Sequence, residues 1–181
     1  MIVFFGPAGA GKSVQGQILA ARHGWRWLSS GQLLRDSHDS KLLKQMSTGK
    51  LADTEIVNSV IAEALSRSKD IDHVILDGYP RKLSQAQWLV SSQPKHERSI
   101  ELIVVLEVPR AELFRRLKVR GRQDDTVESI EERLKIYRQE MYPVLSYFND
   151  QGVRVSHIQG IGSVGMVHDR IEEEIIACKI V

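Results

Sequence analysis

The eight residues GPAGAGKS, at positions 6–13, constrain the fold of this chain more than any other stretch. They follow the unbroken apolar run MIVFF, which is typical of a strand buried on both faces, and they open a segment with apolar residues at helical spacing. A buried strand, a turn of the pattern G-x-x-x-x-G-K-[ST] and a helix form a phosphate-binding loop. In such a loop, backbone N–H groups and the helix N-terminus surround a phosphate, and the lysine reaches the outer phosphates. The stretch therefore predicts a site for a nucleoside triphosphate.

Strand and helix patterns alternate along the chain. Short apolar runs predict strands at 1–5, 25–31, 73–78, 100–108 and 153–158. Amphipathic segments predict helices at 12–23, 32–36, 41–48, 54–67, 84–91, 110–120, 126–149 and 164–178. This alternation predicts an α/β fold, a three-layer sandwich of the P-loop NTPase type whose five-stranded, mostly parallel sheet is flanked by helices. Ligands of such folds bind beyond the carboxyl ends of the strands, so we expect the functional residues in the loops there.

Several helix ends carry their own signals. Gly24 and Gly49 are expected to stop the helices before them, and Ser29 or Ser30 is expected to cap the helix that follows. Thr54 is the expected N-cap of the next helix. Pro143 should bend or end the long helix at 126–149.

Composition excludes several classes of protein. With 181 residues the chain is long enough for one domain, and its net charge of +2 is too weak to indicate a nucleic-acid partner. No apolar stretch is long enough to cross a membrane, and MIVFF runs into glycines rather than a signal-peptide cleavage pattern. The sole cysteine, Cys178, cannot form an internal disulfide and reads as a packed or peripheral thiol. We expect a cytoplasmic protein with no membrane or nucleic-acid partner.

Asp77 follows the third apolar run, where a strand gives way to a loop. An acid at this place is suited to hold Mg²⁺ through its water shell near nucleotide phosphates, and the Ser13 hydroxyl is suited to ligate it directly. An isolated Asp after a strand is also a common cap. Together with the phosphate-binding loop, Asp77 indicates a nucleoside triphosphate but not the reaction.

Five motifs in order resemble those of the adenylate kinase family and its nucleoside monophosphate kinase relatives: GPAGAGKSVQ, LSSGQLLR, GKLADTE, LDGYPRKLSQAQ and RLKVRGRQDD. The resemblance covers nearly the whole chain. It implies one kinase domain over 1–181, with an acceptor-binding region at about 30–58 and a vestigial lid at about 120–125. It also implies a phosphotransferase that moves the γ-phosphoryl group of MgATP to AMP, giving two ADP. We expect the protein to be a monomer.

The resemblance assigns residues to each substrate. For ATP it implies Gly9, Ala10, Gly11, Lys12, Ser13, Val14, Arg116, Arg120 and Gly162. For AMP it implies Ser30, Gly31, Arg35, Lys50, Leu51, Ala52, Gly78, Arg81, Gln85, Arg122 and Arg133. The relatives that act on UMP and CMP typically carry an asparagine-containing pattern after the G-F-P-R arginine, so Gln85 favours AMP. An amide can also pair with both donor and acceptor atoms of adenine.

Catalysis is implied for Lys12, Arg81, Arg120, Arg122 and Arg133. Phosphoryl transfer needs such a set, because two anionic nucleotides must be held together while charge spreads over the equatorial oxygens of the transferring group. The aspartate pair Asp124 and Asp125 is implied to set the geometry of the arginines, and it could also cap the next helix. Arg115 has no counterpart and is interpreted as a surface residue.

The chain departs from the family at three places. It has GKSV where the family has G-K-G-T, which moves the hydroxyl to Ser13, and it has Ser30 and Gln32 where the family has threonine and aspartate. Gly121 alone separates Arg120 from Arg122, so the lid is reduced to a minimum and should exclude water less well. No cysteine cluster is present to hold zinc.

Three alternatives stay open from the sequence. A pyrimidine nucleoside monophosphate kinase would share most motifs, although Gln85 argues against it. A regulatory protein that binds ATP and AMP without catalysis would fit the reduced lid and GKSV. A kinase for a small metabolite would fit the length but would leave Arg35, Arg81 and Gln85 without a common purpose.

Overall fold

The computed structural model describes residues 1–38, 40–48 and 50–181. Its strands are β1 (Ile2–Phe5), β2 (Arg26–Ser29), β3 (Val74–Asp77), β4 (Leu102–Glu107) and β5 (Arg154–Gln159). Its helices are α1 (Lys12–His23), α2 (Ser30–Asp36), α3 (Ser40–Ser47), α4 (Thr54–Ser66), α5 (Leu83–His96), α6 (Arg110–Arg120), α7 (Val127–Asp150) and α8 (Val164–Ala177). No helix within the described ranges is long and apolar enough to cross a membrane.

The five strands form one sheet in the order β2-β3-β1-β4-β5, and every pair is parallel. The predicted five-stranded parallel α/β fold is therefore confirmed. β1 lies in the centre, with β3 and β2 on one side of it and β4 and β5 on the other. The loop after β1 thus opens at the point where the strand order reverses, which is where such sheets bind ligands.

Helices cover both faces of the sheet. Successive side chains of a strand point to opposite faces, so Val3 and Phe5 pack with α4, α5 and the end of α7, whereas Ile2 and Phe4 pack with α1, α6 and α8. All four residues of β1 are buried, as are all four of β3. Two apolar layers therefore hold the central strands, and with them the loops at their carboxyl ends.

One predicted N-cap and the predicted start of α2 differ from the structure. The N-cap of α4 is Asp53 rather than Thr54, because the Asp53 carboxylate accepts hydrogen bonds from the backbone N–H groups of Glu55 (2.9 Å) and Ile56 (3.4 Å). α2 begins at Ser30, earlier than position 32, with Ser29 as its N-cap. The predicted stop at Gly49 lies outside the described residues.

Neither proline ends its helix, although α7 was predicted over 126–149 with a bend or an end near Pro143 and α5 only to position 91. α7 continues through Pro143 to Asp150, since Val144 and Phe148 beyond the proline are fully buried. Burial of two such side chains contributes roughly 3–6 kcal/mol, which offsets the ~3 kcal/mol that a proline costs inside a helix. α5 likewise extends from the predicted end at 91 to His96, with Ser92 and His96 buried and Pro94 in the last turn.

Candidate active site

A cleft of about 720 Å³ lies beyond the carboxyl ends of the central strands. It brings together most of the predicted site residues: Gly9, Ala10, Gly11, Lys12, Ser13, Val14, Gly31, Arg35, Lys50, Asp77, Arg81, Arg116, Arg120, Arg122, Arg133 and Gly162. A smaller pocket of about 90 Å³ adjoins it and is lined by Leu51 and Gly78. Lys12, Arg81 and Arg133 line both. Ser30, Ala52 and Gln85 line neither, and all three are buried.

The loop between β1 and α1 depends on glycines at two places. Gly9 and Gly11 have φ angles of 86° and 104°, in the left-handed region that side chains rarely adopt. A Cβ on Gly9 would also lie 2.9 Å from the Leu117 Cγ of α6, so the loop packs directly on that helix. The glycines thus give the loop the tight turn that a phosphate-binding loop requires.

Lys12 stands at the start of α1 and points back into the loop. Its Nζ donates hydrogen bonds to the carbonyl oxygens of Gly6 (2.7 Å) and Pro7 (3.0 Å). Burial lowers the pKa of Lys12 to about 8, Asp77 opposes this shift, and the charges of Arg81 and Arg120 add to it. A lysine held like this would gain from an anion placed beside it, because the anion would restore its full charge.

Ser13 and Asp77 meet at the floor of the cleft. The Ser13 hydroxyl donates a hydrogen bond of 2.6 Å to Asp77 Oδ2, and Asp77 is 3% exposed. The register of β1 and β3 places Asp77 beside Phe4, just before the loop. A hydroxyl and a carboxylate are the hard oxygen ligands that Mg²⁺ prefers, so this pair fits that ion. Across the part of the chain that the structure describes, no group of three or more His, Cys, Asp or Glu could hold a metal by itself.

Asp125 organises two of the cleft arginines. Its carboxylate accepts hydrogen bonds from Arg120 Nε (2.8 Å), Arg120 Nη2 (2.6 Å) and Arg133 Nη1 (3.1 Å), and its side chain is 2% exposed. Asp124 accepts a further hydrogen bond from Arg133 Nη2. Arg122 lies in the turn between these residues, exposed to the cleft, and its carbonyl accepts a hydrogen bond from the Asp125 N–H (2.9 Å). The two aspartates therefore hold the guanidinium groups of Arg120 from α6 and Arg133 from α7 close together in the cleft.

Arg116 connects the loop after β1 with the loop after β5. Its guanidinium donates hydrogen bonds to the carbonyl oxygens of Ala10 (3.3 Å) and Gly160 (2.8 Å), while its Nε donates to Glu112 (2.7 Å). Arg115 also binds Glu112, and its side chain is 68% exposed, as expected for a surface residue, although it reaches the rim of the cleft. Arg116 thus joins the two backbone segments at this end of the cleft.

Hydrogen bonds hold the GYPR turn at the other end of the cleft. The Gly78 carbonyl accepts from the Ser30 hydroxyl (2.6 Å) and from Arg81 Nε (2.7 Å). The Arg81 N–H donates to Gln85 Oε1 (2.7 Å). Ser30 and Gln85 therefore hold Arg81 in place from behind the cleft wall.

Sequence reasoning missed several lining residues. Gly160, in the loop after β5, is one of them. A Cβ at this position would lie 2.6 Å from Val108 Cγ2, so only glycine lets the loop after β5 approach the loop after β4 this closely. Another group continues the face of α7 that carries Arg133 and lines the smaller pocket. The helical spacing of these residues from Arg133 could have identified them in the sequence: Ile136, Tyr137, Glu140 and Met141. Others, which lie around the cleft, include Gln15, Ser29, Met46, Glu112, Leu117, Val119, Ser163, Val164 and Val167.

The tryptophans take part in packing. The Trp25 ring stacks on His23 with centroids 4.5 Å apart, and Trp88 makes an edge contact with Tyr79 at 6.4 Å. Trp27 lies against Gly16 of α1. None of the three lines either described pocket.

Comparison with known proteins agrees with this geometry. The family model described as adenylate kinase matches residues 4–153. The chain is 34% identical to the adenylate kinase of Prochlorococcus marinus subsp. pastoris over 98% of both chains. It is 34% identical to that of Mycolicibacterium paratuberculosis over 93% of this chain and 95% of the relative, and 35% identical to that of Mycobacterium leprae over the same shares. The chain belongs to the adenylate kinase family.

Proposed function

We propose that the protein transfers the γ-phosphoryl group of MgATP to AMP and so forms two ADP. The observation that carries this proposal is one continuous cleft that begins at the phosphate-binding loop and ends at Arg35 and Lys50. Cationic side chains line it from end to end, which suits two phosphate-bearing substrates placed with their phosphates together. Membership of the adenylate kinase family supports ATP and AMP as those substrates.

ATP would occupy the half of the cleft formed by the loop after β1 and the loop after β5. The N–H groups around Gly9, Ala10 and Gly11 would surround its phosphates, and Lys12 would move from its carbonyl partners to the outer phosphates. The remaining donor-side residues are Ser13, Val14, Arg116, Arg120 and Gly162. The base end would lie beside Gly162, where the helix α8 begins.

AMP would occupy the half formed by α2, the segment before α4 and the GYPR turn. Arg35 and Arg81 would hold its phosphate, and the Lys50–Leu51–Ala52 backbone would border its adenosine. Gln85 would face the adenine, helped by Ser30, Gly31 and Gly78. Since Gln85 is buried and its Oε1 already accepts from the Arg81 N–H, its amide nitrogen is the group we assign to base contact.

The transferring phosphoryl group would lie between these halves, within reach of Arg120, Arg122 and Arg133. Their guanidinium groups would stabilise the charge that spreads over its equatorial oxygens, with Lys12 and Arg81 on either side. No general base is required, because the attacking AMP phosphate is already ionised. Positioning and charge stabilisation therefore supply the catalysis.

Ser13 and Asp77 would hold the Mg²⁺ that accompanies ATP, with Asp77 acting through the water shell. The ion neutralises phosphate charge when it is bound. Before that, the Ser13 hydroxyl must turn its proton away from Asp77. The donor set contains no thiolate, and we propose no role for zinc.

The domain organisation follows the same division. We propose a single kinase domain over 1–181, with the acceptor region at about 30–58 and a vestigial lid at about 120–125. It would act as a monomer in the cytoplasm, where the half-buried thiol of Cys178 would stay reduced. With so short a lid, water should compete with AMP for the phosphoryl group more than under a large closing lid.

A coupled assay with purified protein tests the proposed function. AMP, CMP, UMP, GMP and dAMP are offered in turn with MgATP, and ADP formation is followed. We expect turnover with AMP to exceed that with the pyrimidine nucleotides by at least about 100-fold in kcat/KM, since a site built for hydrogen bonds rejects a base that leaves them unmade. Calorimetric binding of ATP and AMP without any transfer would replace the proposal by a regulatory role, and preference for UMP or CMP would reassign the acceptor.

A further inference from the structure

Tyr79, the second residue of the GYPR turn, makes a hydrogen bond inside the protein core. Its side chain is 1% exposed, and its hydroxyl donates a 2.7 Å hydrogen bond to Oδ1 of Asn58, which is 9% exposed. The carbonyl oxygen of Gln85 lies 3.2 Å from the same hydroxyl. Burial raises the pKa of Tyr79 above its ordinary value, so the hydroxyl stays protonated and remains a donor.

Asn58 is a polar residue in an otherwise apolar stripe. The other buried positions of α4 are Val57, Ile61, Ala64 and Leu65, and they pack in the same core layer as α5. Apolar contacts alone tolerate small rotations and shifts between two helices. A buried hydrogen bond does not, because a lost partner leaves a polar group without water or a substitute.

The bond joins two parts of the site that are distant in sequence. On one side, the N-cap Asp53 joins α4 to the segment 50–52, in which Lys50 lines the cleft and Leu51 lines the adjoining pocket. On the other side, Tyr79 lies between Gly78, which holds Ser30 and Arg81, and α5, which carries Gln85. One contact in the core thus connects the two walls of this half of the cleft.

We propose that Tyr79 and Asn58 are a positioning pair for the acceptor nucleotide. Their hydrogen bond holds α4, and with it the segment 50–52, in one register against the turn that carries Arg81 and Gln85. Neither side chain touches the substrate. The inference rests on the proposed function, since it concerns how that same site takes up AMP.

The experiment uses four proteins: wild type, Tyr79→Phe, Asn58→Leu and the double variant. Calorimetry gives the Kd of AMP and of ATP, the coupled assay gives kcat and both KM values, and thermal unfolding gives Tm. We expect each single variant to raise the Kd and KM for AMP about 3- to 10-fold, the range expected for one hydrogen bond, with kcat and the values for ATP within about twofold. Tyr142→Phe is the matched control, because Tyr142 is 77% exposed, and it should change none of these quantities.

The double variant separates positioning from stability. It should raise the KM for AMP no further than either single variant, because the same bond is lost in each. Its Tm should exceed that of Tyr79→Phe, in which the buried Asn58 Oδ1 has lost its donor, whereas in Asn58→Leu the Tyr79 hydroxyl keeps the Gln85 carbonyl as an acceptor. Three outcomes would each overturn the inference. The first is a KM for AMP in the double variant that rises by the product of the two single increases, and the second is an equal rise in the Kd of ATP and of AMP. The third is an unchanged Kd for AMP in Tyr79→Phe. Should Asn58→Leu fail to fold, Tyr79→Phe alone decides. Failure of the proposed function is distinct: wild type would then form no ADP, whereas the Kd of AMP would still report on the pair.

Discussion

Replacing Asp125 by asparagine tests the arginine cluster most directly. The substitution keeps the volume of the side chain and removes its charge. Three guanidinium N–H groups now donate to the Asp125 carboxylate, two from Arg120 and one from Arg133. In Asp125→Asn they would face an amide that has donors of its own, so at least one hydrogen bond is lost and both arginines are left with less compensated charge.

The size of the effect follows from the exposure of the partners. Removing one member of a buried ion pair costs roughly 3–5 kcal/mol. Arg120 is 32% exposed and can gain water, and Arg133 keeps Asp124, so we expect the lower end, about 3 kcal/mol in the free energy of unfolding. A displacement of catalytic groups by about 1 Å costs about 100-fold in rate, so kcat should fall about 10- to 100-fold, while the Kd of ATP rises far less.

Urea unfolding and the coupled assay measure the two effects separately. Asp150→Asn is the matched control, because Asp150 is exposed at the carboxyl end of α7, and the free energy of unfolding of this variant should change by less than about 0.5 kcal/mol. A kcat for Asp125→Asn within twofold of wild type would refute the view that Asp125 positions the arginines. An unchanged free energy of unfolding would refute the assigned strength of the pairs.

The same variant makes a pH prediction. Burial alone would raise the pKa of Asp125, but the hydrogen bonds from Arg120 and the charges of Arg120 and Arg133 outweigh it and hold the pKa below its ordinary value. A depressed pKa in the folded state stabilises the protein above the ordinary pKa of about 3.9, and this contribution is lost as the pH falls through the folded-state pKa. The difference in unfolding free energy between wild type and Asp125→Asn should therefore be constant above about pH 5 and shrink at lower pH.

Three further outcomes are expected. ATP binding near pH 8.5 should take up protons, because burial lowers the pKa of Lys12 to about 8 and the bound phosphates restore its charge. Calorimetry in buffers of different ionisation enthalpy measures the uptake, and the absence of any uptake would contradict a contact between Lys12 and the phosphates. Gly9→Ala should destabilise the protein by roughly 2–5 kcal/mol in urea unfolding, given φ of 86° and a contact of 2.9 Å, whereas Gly24→Ala, at φ of 70° with open space, should cost only about 1–2 kcal/mol. Arg122→Ala should lower kcat about 100- to 1,000-fold with the free energy of unfolding within about 0.5 kcal/mol, and similar losses in kcat and in stability would argue against a direct role.

Local signals in the sequence located some elements to the residue. α1 and α6 have the predicted bounds, because Gly24 and Gly121 follow them and both adopt the left-handed conformation that ends a helix. The phosphate-binding loop was also predictable, since its function requires those glycines and that lysine at that spacing. In each case the determining contacts lie within a few residues of one another.

Other features depend on contacts that spacing does not reveal. Ser30 was assigned to AMP binding, yet its hydroxyl donates a hydrogen bond to the Gly78 carbonyl, a contact that exists only because β2 and β3 are neighbours in the sheet. The length of α7 beyond Pro143 depends on the burial of Phe148 against the sheet. Arg120 and Arg133 share Asp125, a relation that required the two helices to be placed in space.

The turn at Gly121 has a consequence for how a lid of any size can be attached to this framework. α6 is closed by Gly121 itself, and α7 is started separately by the Thr126 hydroxyl, which accepts from the Ser129 N–H. Only the six residues 121–126 connect them, and the two caps stand at the outer ends of that connection, so each helix end is closed by a residue next to it. Tripling the length of the connection would add about 1 kcal/mol of loop-closure entropy, so the joint between Gly121 and Arg122 is a place where the chain could gain a whole new segment while its phosphate chemistry stays as it is.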